Sequence, residues 1–248
     1  ASCMIVIFTD FGHRGPYMGQ MEAVLYRQAP GTPVVRLFAD APRFNARASA
    51  YLLAAYIDEF PPGSVFLCVI DPGVGSARRP LAVQVDGRWF VGPDNGLFEI
   101  VRRRATESEV REVLWRPVRL SASFHGRDLF TPVAAMLANG DMPHSRPVAA
   151  DKRYAAWPDD LAEVIYVDHY GNAMTGIRAQ TLARNAVIEV AGSRLERVRT
   201  FGDVQQGACF WYENANGLVE IAANQASAAS QLGLAVGRRV GISQALRI

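Results

Sequence analysis

Short unbroken apolar runs alternate with longer amphipathic stretches through the first hundred residues. Residues 64–70 (SVFLCVI) read as a strand buried on both faces, the pattern of a parallel sheet, and residues 4–8 (MIVIF) and 33–39 (PVVRLFA) read as further strands. Between them, residues 17–29 have helical spacing closed by Pro30-Gly31. Residues 46–60, rich in alanine and leucine, follow Asn45 as an N-cap and stop at Pro61-Pro62-Gly63. The β-α-β-α-β order predicts an α/β domain of βαβ layers around a largely parallel sheet. Residues 81–85 and 89–91 flank Asp86-Gly87, a favoured pair for a tight turn, and predict a hairpin. Residues 97–104 and 129–137 read as helices. The arginines at 102–104, with the acids of 107–113 (ESEVREV), read as a solvated charged face.

The pattern changes beyond Pro143. Prolines at 143, 147 and 158 and mixed charges without periodicity mark a connection between domains, placed at residues 151–160. Past it, residues 162–167, 186–190, 209–212, 218–222 and 239–242 are short strand-like runs divided by Gly and Asn turns, as in a small barrel or sandwich. The expected architecture is an α/β N-terminal domain over 4–150, the linker, and a smaller all-β, barrel-like C-terminal domain over 161–248.

Composition narrows the partners. The chain has 248 residues, 50% hydrophobic, which suffices for a sizeable core. Its 26 basic and 24 acidic residues give a formal charge of +2, too balanced for a nucleic-acid or anionic-membrane surface, so a small molecule is the expected partner. Cys3, Cys68 and Cys209 are widely spaced and odd in number, as expected of reduced thiols in a cytoplasmic protein. No secretory leader and no bilayer-length apolar run is visible, and Ala1 to Cys3 ahead of Met4 reads as a scar of expression.

Candidate chemistry collects where the strands end. Asp10 and Asp71 are the first acids after two of the apolar runs, the place where open α/β sheets bind ligands, and the two should lie close together. Pro72, Gly73 and Gly75 then force a turn ahead of Arg78 and Arg79. His125 precedes a helical stretch, and a helix N-terminus lowers an imidazole's pKa. Asp168-His169-Tyr170-Gly171-Asn172 gathers an acid, an aromatic ring and an amide after the first strand of the second domain, a set suited to an ammonium, a flat ring and a base edge. The glycines of GHRGPYMGQ fit neither dinucleotide nor P-loop spacing.

Taken together, TDFG (9–12), IDPGVGSARR (70–79), GPDNGL (92–97), FHGRDLFTPVAA (124–135), DHYGN (168–172) and NGLVEIAANQASAA (216–229) resemble, in order and nearly end to end, the S-adenosylmethionine hydroxide adenosyltransferases, or SAM hydrolases, relatives of the fluorinase and chlorinase. The resemblance implies an Asp-Arg-His triad on Asp71, Arg78 and His125, with Arg78 preferred to Arg79 by its spacing from the DPGVG turn. The halogenases carry other residues at triad positions, so a hydrolase is implied: SAM and water give adenosine and methionine with no metal or other cofactor.

The resemblance further implies that Asp10 holds the ribose hydroxyls, Phe44 lies beside sugar and methionine, and Asp168 binds the methionine ammonium. Tyr170 would stack on adenine, Asn172 read its edge, and the Gln225 backbone meet its amino group. It implies a homotrimer whose sites join the N-terminal domain of one subunit to the C-terminal domain of the next. Gly15 stands where the family's loop carries an acid, and Ala215 where serine is common. Two other readings of the same residues exist. One is a metal-dependent hydrolase using Asp10, Asp71, Asp94, His125 and His169, although no HxH or HExxH spacing is present. The other is a SAM- or nucleoside-binding protein without turnover.

Overall fold

The computed structural model describes residues 3–244. Ala1 and Ser2 of the expected expression scar, and 245–248 at the end of the expected C-terminal domain, lie outside the described residues. The chain divides into two compact units between Ala156 and Trp157.

The first unit holds strands β1 (Ile5–Thr9), β2 (Val34–Phe38), β3 (Val65–Val69), β4 (Pro80–Val85), β5 (Arg88–Pro93), β6 (Ser108–Val113) and β7 (Ser145–Pro147), with helices α1 (Tyr17–Gln28), α2 (Ala46–Ala54), α3 (Glu99–Arg103) and α4 (Thr131–Ala138). They form one sheet in the order β2-β1-β3-β5-β4-β6-β7. The expectation of a largely parallel sheet needs correction, because only β2-β1-β3-β5 run parallel and every pairing from β5 outward is antiparallel. The Asp86-Gly87 hairpin is the cause: both residues have positive φ, the tight turn brings β4 back against β5, and the sheet grows antiparallel from there. The expected charged face over 107–113 is in fact β6, paired with β4.

Alternate residues of the central strands serve two faces. Ile5, Ile7, Val65, Leu67 and Val69 join Met21, Leu25, Val133 and Ala134 of α1 and α4 in one core. On the other face Phe66 stacks on Phe90 at 4.6 Å, with Phe60 edge-on to Phe66. Asn45 caps α2 by accepting the Ala48 N–H at 2.9 Å, a contact typical of caps contributing about 1 kcal/mol. The helix ends at Ala54, short of the expected 60, and a 3₁₀ turn follows (Ile57–Glu59).

The second unit contains β8 (Leu161–Val167), β9 (Ala173–Arg178), β10 (Ala186–Val190), β11 (Ser193–Leu195), β12 (Cys209–Glu213), β13 (Leu218–Ala223), the short α5 (Ala228–Leu232) and β14 (Gly241–Gln244). A four-stranded sheet, β12-β13-β9-β8, and a three-stranded one, β11-β10-β14, share a single core that includes Val164, Ile188, Trp211 and Ile221. Trp211 is fully buried, and its Nε1–H donates to the Ala186 carbonyl at 3.0 Å. The barrel-like expectation gives way to two open sheets. Isolated bridges such as Glu163–Arg239 and Arg197–Trp211 supplement the shared core, whereas barrel closure needs a continuous ladder. Among the described residues no helix is long and apolar enough to cross a membrane.

Candidate active site

Strands β1 and β3 are parallel neighbours with Thr9 opposite Val69, so the chain leaves both at the same edge of the sheet. The connection from β1 runs outward to β2, and the next crosses back to β3. The crevice between β1 and β3 is therefore the topological switch point at which such sheets bind ligands. Asp10 and Asp71 flank it.

Asp71 and Arg78 form an ion pair whose side chains are only 5% and 10% exposed. Arg78 Nε donates to Asp71 Oδ1 at 2.9 Å and to Oδ2 at 3.1 Å, and Nη2 also meets Oδ2. The same Nη2 lies 2.9 Å from His125 Nδ1, and the guanidinium sits over the Phe130 ring at 5.1 Å. Arg79 turns away to Asp94, with Nε to Oδ2 at 2.8 Å. Asn95 fixes the backbone ahead of Asp71, its Nδ2 donating to the Ile70 carbonyl at 2.7 Å.

A guanidinium has donors only, so His125 Nδ1 accepts from Arg78, and the neutral ring carries its proton on Nε2. His125 stands directly before a π-helical turn (Gly126–Phe130) that runs into α4. Its pKa falls below the ordinary 6.5 chiefly through burial, then through the charge of Arg78, with Asp71 pulling the other way.

Asp10 accepts the Phe44 N–H on Oδ2 at 2.9 Å. Burial raises its pKa, the Phe44 and Asp10 N–H groups oppose that, and the charge of Asp71 adds to the rise, which fits two carboxylates facing one crevice. Phe44 is 76% exposed at a φ of 57°, a conformation rare for a bulky residue and held here by Asp10.

The second unit gathers the remaining expected residues. Asp168 ends the β8 run and folds the next residues onto itself: Oδ1 accepts the Tyr170 and Asn172 N–H groups, both at 2.9 Å, and Oδ2 accepts Asn172 Nδ2 at 3.0 Å. The Tyr170 ring is left exposed and Asn172 is buried. Asp168, Tyr170, Asn172 and Gln225 line one hollow of about 720 Å³, and Gln225 has a strained φ of 53°.

That hollow also holds a residue the sequence reading passed over. Glu220 is 2% exposed and accepts from Tyr212 Oη at 2.6 Å and Asn214 Nδ2 at 2.7 Å; burial raises its pKa, and Asp168 adds to the rise. Its one signal is a lone acid inside LVEIAA. Among the described residues no three His, Cys, Asp or Glu side chains are grouped to hold a metal. Asp94 is spent on Arg79, and His169 packs edge-on to Tyr170.

Comparison with known proteins identifies the family. Family models described as the SAM hydroxide adenosyltransferase N-terminal and C-terminal domains match residues 5–146 and 162–241. A Thermus thermophilus protein named (R)-S-adenosyl-L-methionine hydrolase is 41% identical, over 95% of this chain and 98% of that one. A Salinispora tropica protein of the same name is 35% identical, over 95% of each. A fluorinase from Actinoplanes is more distant, at 23% identity over 98% of each. Among solved structures, an uncharacterized conserved protein from Thermotoga maritima superposes with a TM-score of 0.86 at 28% identity, covering 97% of this chain and all of that one. With both domain models matched and close relatives aligned nearly end to end, the chain belongs to the SAM hydroxide adenosyltransferase family.

Proposed function

We propose that this protein hydrolyses S-adenosyl-L-methionine to adenosine and L-methionine, by in-line attack of water on the ribose C5′. The observation that carries the reading is the hydrogen-bonded, partly buried Asp71–Arg78–His125 constellation at the strand-end crevice of a chain 41% identical to a named SAM hydrolase. The C5′–S bond breaks with its electron pair leaving on sulfur, so methionine departs as a neutral thioether and needs neither a general acid nor a Lewis acid. An O–C5′ bond forms, and one proton leaves the water.

Bulk water has a pKa of about 15.7, so the attacking oxygen must be relieved of that proton as it reacts. The guanidinium of Arg78 cannot accept it, and His125 Nδ1 is engaged by Arg78. Asp71 is the acceptor that remains. Arg78 and the Nε2–H of His125 orient the water and stabilise its developing hydroxide character. Attack of that oxygen on a sulfonium cancels charge, which a water-poor pocket favours. In this reading Asp10 holds the ribose hydroxyls and Phe44 covers the sugar. Asp168 takes the ammonium, Tyr170 stacks on adenine, and Asn172 and the Gln225 backbone meet its edge. These residues belong to two units of the chain; from the resemblance to the SAM hydroxide adenosyltransferases we infer a homotrimer in which neighbouring subunits each supply half of a site, working in the cytoplasm, where the free thiols Cys3, Cys68 and Cys209 stay reduced.

Incubation with SAM should yield adenosine and methionine in equal amounts, and chelator should leave the rate unchanged. Activity lost to chelator and restored by a divalent ion would move the chemistry to a metal, and binding without product would leave a sensor. The pH dependence follows from His125. Only the neutral ring can accept from Arg78, so activity should be flat above the ordinary imidazole value and fall in acid with a midpoint below 6.5. A midpoint above 6.5 would contradict that role.

A further inference from the structure

Arg78 and His125 lie 47 residues apart on different loops, yet their nitrogens meet at 2.9 Å. Something must fix the two loops against each other. At the turn after β3, Val74 N–H donates to the Asp71 carbonyl and Ser76 N–H to that of Gly73. Gly75 sits in this turn at a φ of +80°, and a Cβ built on it would lie 2.9 Å from the carbonyl oxygen of Ala122, three residues before His125. Its bare backbone therefore rests on that carbonyl. The 121–124 segment is also tied elsewhere. Ser121 N–H donates to Asp128 Oδ2 at 2.8 Å, Arg127 Nε donates to Asp128 Oδ1 at 2.7 Å, and Arg127 Nη1 reaches Gln20 Oε1 on α1 at 2.7 Å. Phe124 packs edge-on against Phe11 and Tyr17. With the segment tied to Asp128 and packed on Phe11 and Tyr17, contact with Gly75 sets its spacing from the Arg78 loop.

We infer that Gly75 is a positioning residue: the direct approach of its backbone to Ala122 sets the spacing between Arg78 and His125, and with it the place where water is held. The inference rests on the hydrolase reading for its kinetic consequence. Gly75→Ala adds a methyl group against a backbone oxygen, so one loop must shift. The expected result is a kcat lower by roughly 10- to 100-fold, the penalty of a misplacement on the ångström scale, with KM for SAM and affinity for adenosine nearly unchanged.

Backbone strain alone could also weaken the protein, and Gly31→Ala is the control. Gly31 has a φ of +84° with nothing within 4 Å of its Cβ, so it matches the strain without the clash and should keep its kcat. A second readout follows His125 by NMR titration. Burial most of all, then Arg78 and Arg116, lower its pKa while Asp71 and Asp128 raise it, so parting the loops, which wets the ring and draws Arg78 away, should move the midpoint up in Gly75→Ala and leave it in place in Gly31→Ala. An active wild type whose Gly75→Ala variant matches Gly31→Ala in kcat and in the His125 midpoint overturns the inference. A wild type that makes no adenosine overturns the hydrolase reading instead, and the titration still tests the positioning.

Discussion

Asp71→Asn, Arg78→Ala and His125→Ala are each expected to lower turnover of SAM by about 100- to 10,000-fold, while adenosine affinity stays within a few-fold of wild type. In the proposed mechanism each substitution removes a different part of the same proton and orientation system. Asp71→Asn keeps the shape of the side chain but takes away its basicity. His125→Ala removes the Nε2 donor and the partner of Arg78 Nη2. Arg78→Ala does most harm, because it strips the counter-ion from a carboxylate only 5% exposed, and breaking a buried pair by removing one partner costs about 3–5 kcal/mol. Adenosine binding is the necessary control for that variant. Arg78→Lys offers a second one, since it restores a positive charge near Asp71 without the planar fork that reaches both Asp71 and His125. Arg79→Ala, which touches Asp94 and neither triad partner, should stay within a few-fold of wild type. Near-normal turnover in any of the three principal variants removes that residue from the mechanism.

The strands that carry this site were legible because burial on both faces leaves a simple trace. β1 and β3 are unbroken apolar runs, and the first acids beyond them had to stand at strand ends. β6 was not legible, because its sequence, SEVREV, sets three charged residues among two valines in a strand exposed at its first two residues and buried only at its last. β9 was hidden by AMTGIR. Thr175 there is fully buried with its hydroxyl donating to the Val219 carbonyl at 2.8 Å, and Gly176 lies against the Leu161 backbone, so tertiary partners rather than local pattern make the strand. The two adjacent arginines show the same limit. Spacing favoured Arg78, but only the folded chain shows one guanidinium turned to Asp71 and the next to Asp94. Glu220 went unremarked because a single acid in a strand reads as its solvent face, whereas this one is buried under Tyr212 and Asn214.

Mixing two inactive proteins, Asp71→Asn and Asp168→Ala, by unfolding and refolding them together is expected to regenerate activity. Asp71 belongs to the first unit and Asp168 to the second, and the trimer proposed above forms each site from the first unit of one subunit and the second unit of its neighbour. A ring built from such head-to-tail contacts has one kind of junction, repeated around the axis. In a mixed ring, a subunit with intact Asp71 can meet a neighbour with intact Asp168, and random association of equal amounts produces that junction at about a quarter of sites. Activity should therefore climb from the parental floor towards roughly a quarter of the wild-type rate, an increase of one or more orders of magnitude where each parent has lost at least 100-fold. The recovered activity should vary with the mixing ratio and peak at equal proportions. If each chain instead built its own complete site, every subunit would carry one lesion whatever its neighbours, and the mixture would stay at the parental level. That outcome, in oligomers shown to contain both variants, rules out the shared site and leaves the single-chain arrangement.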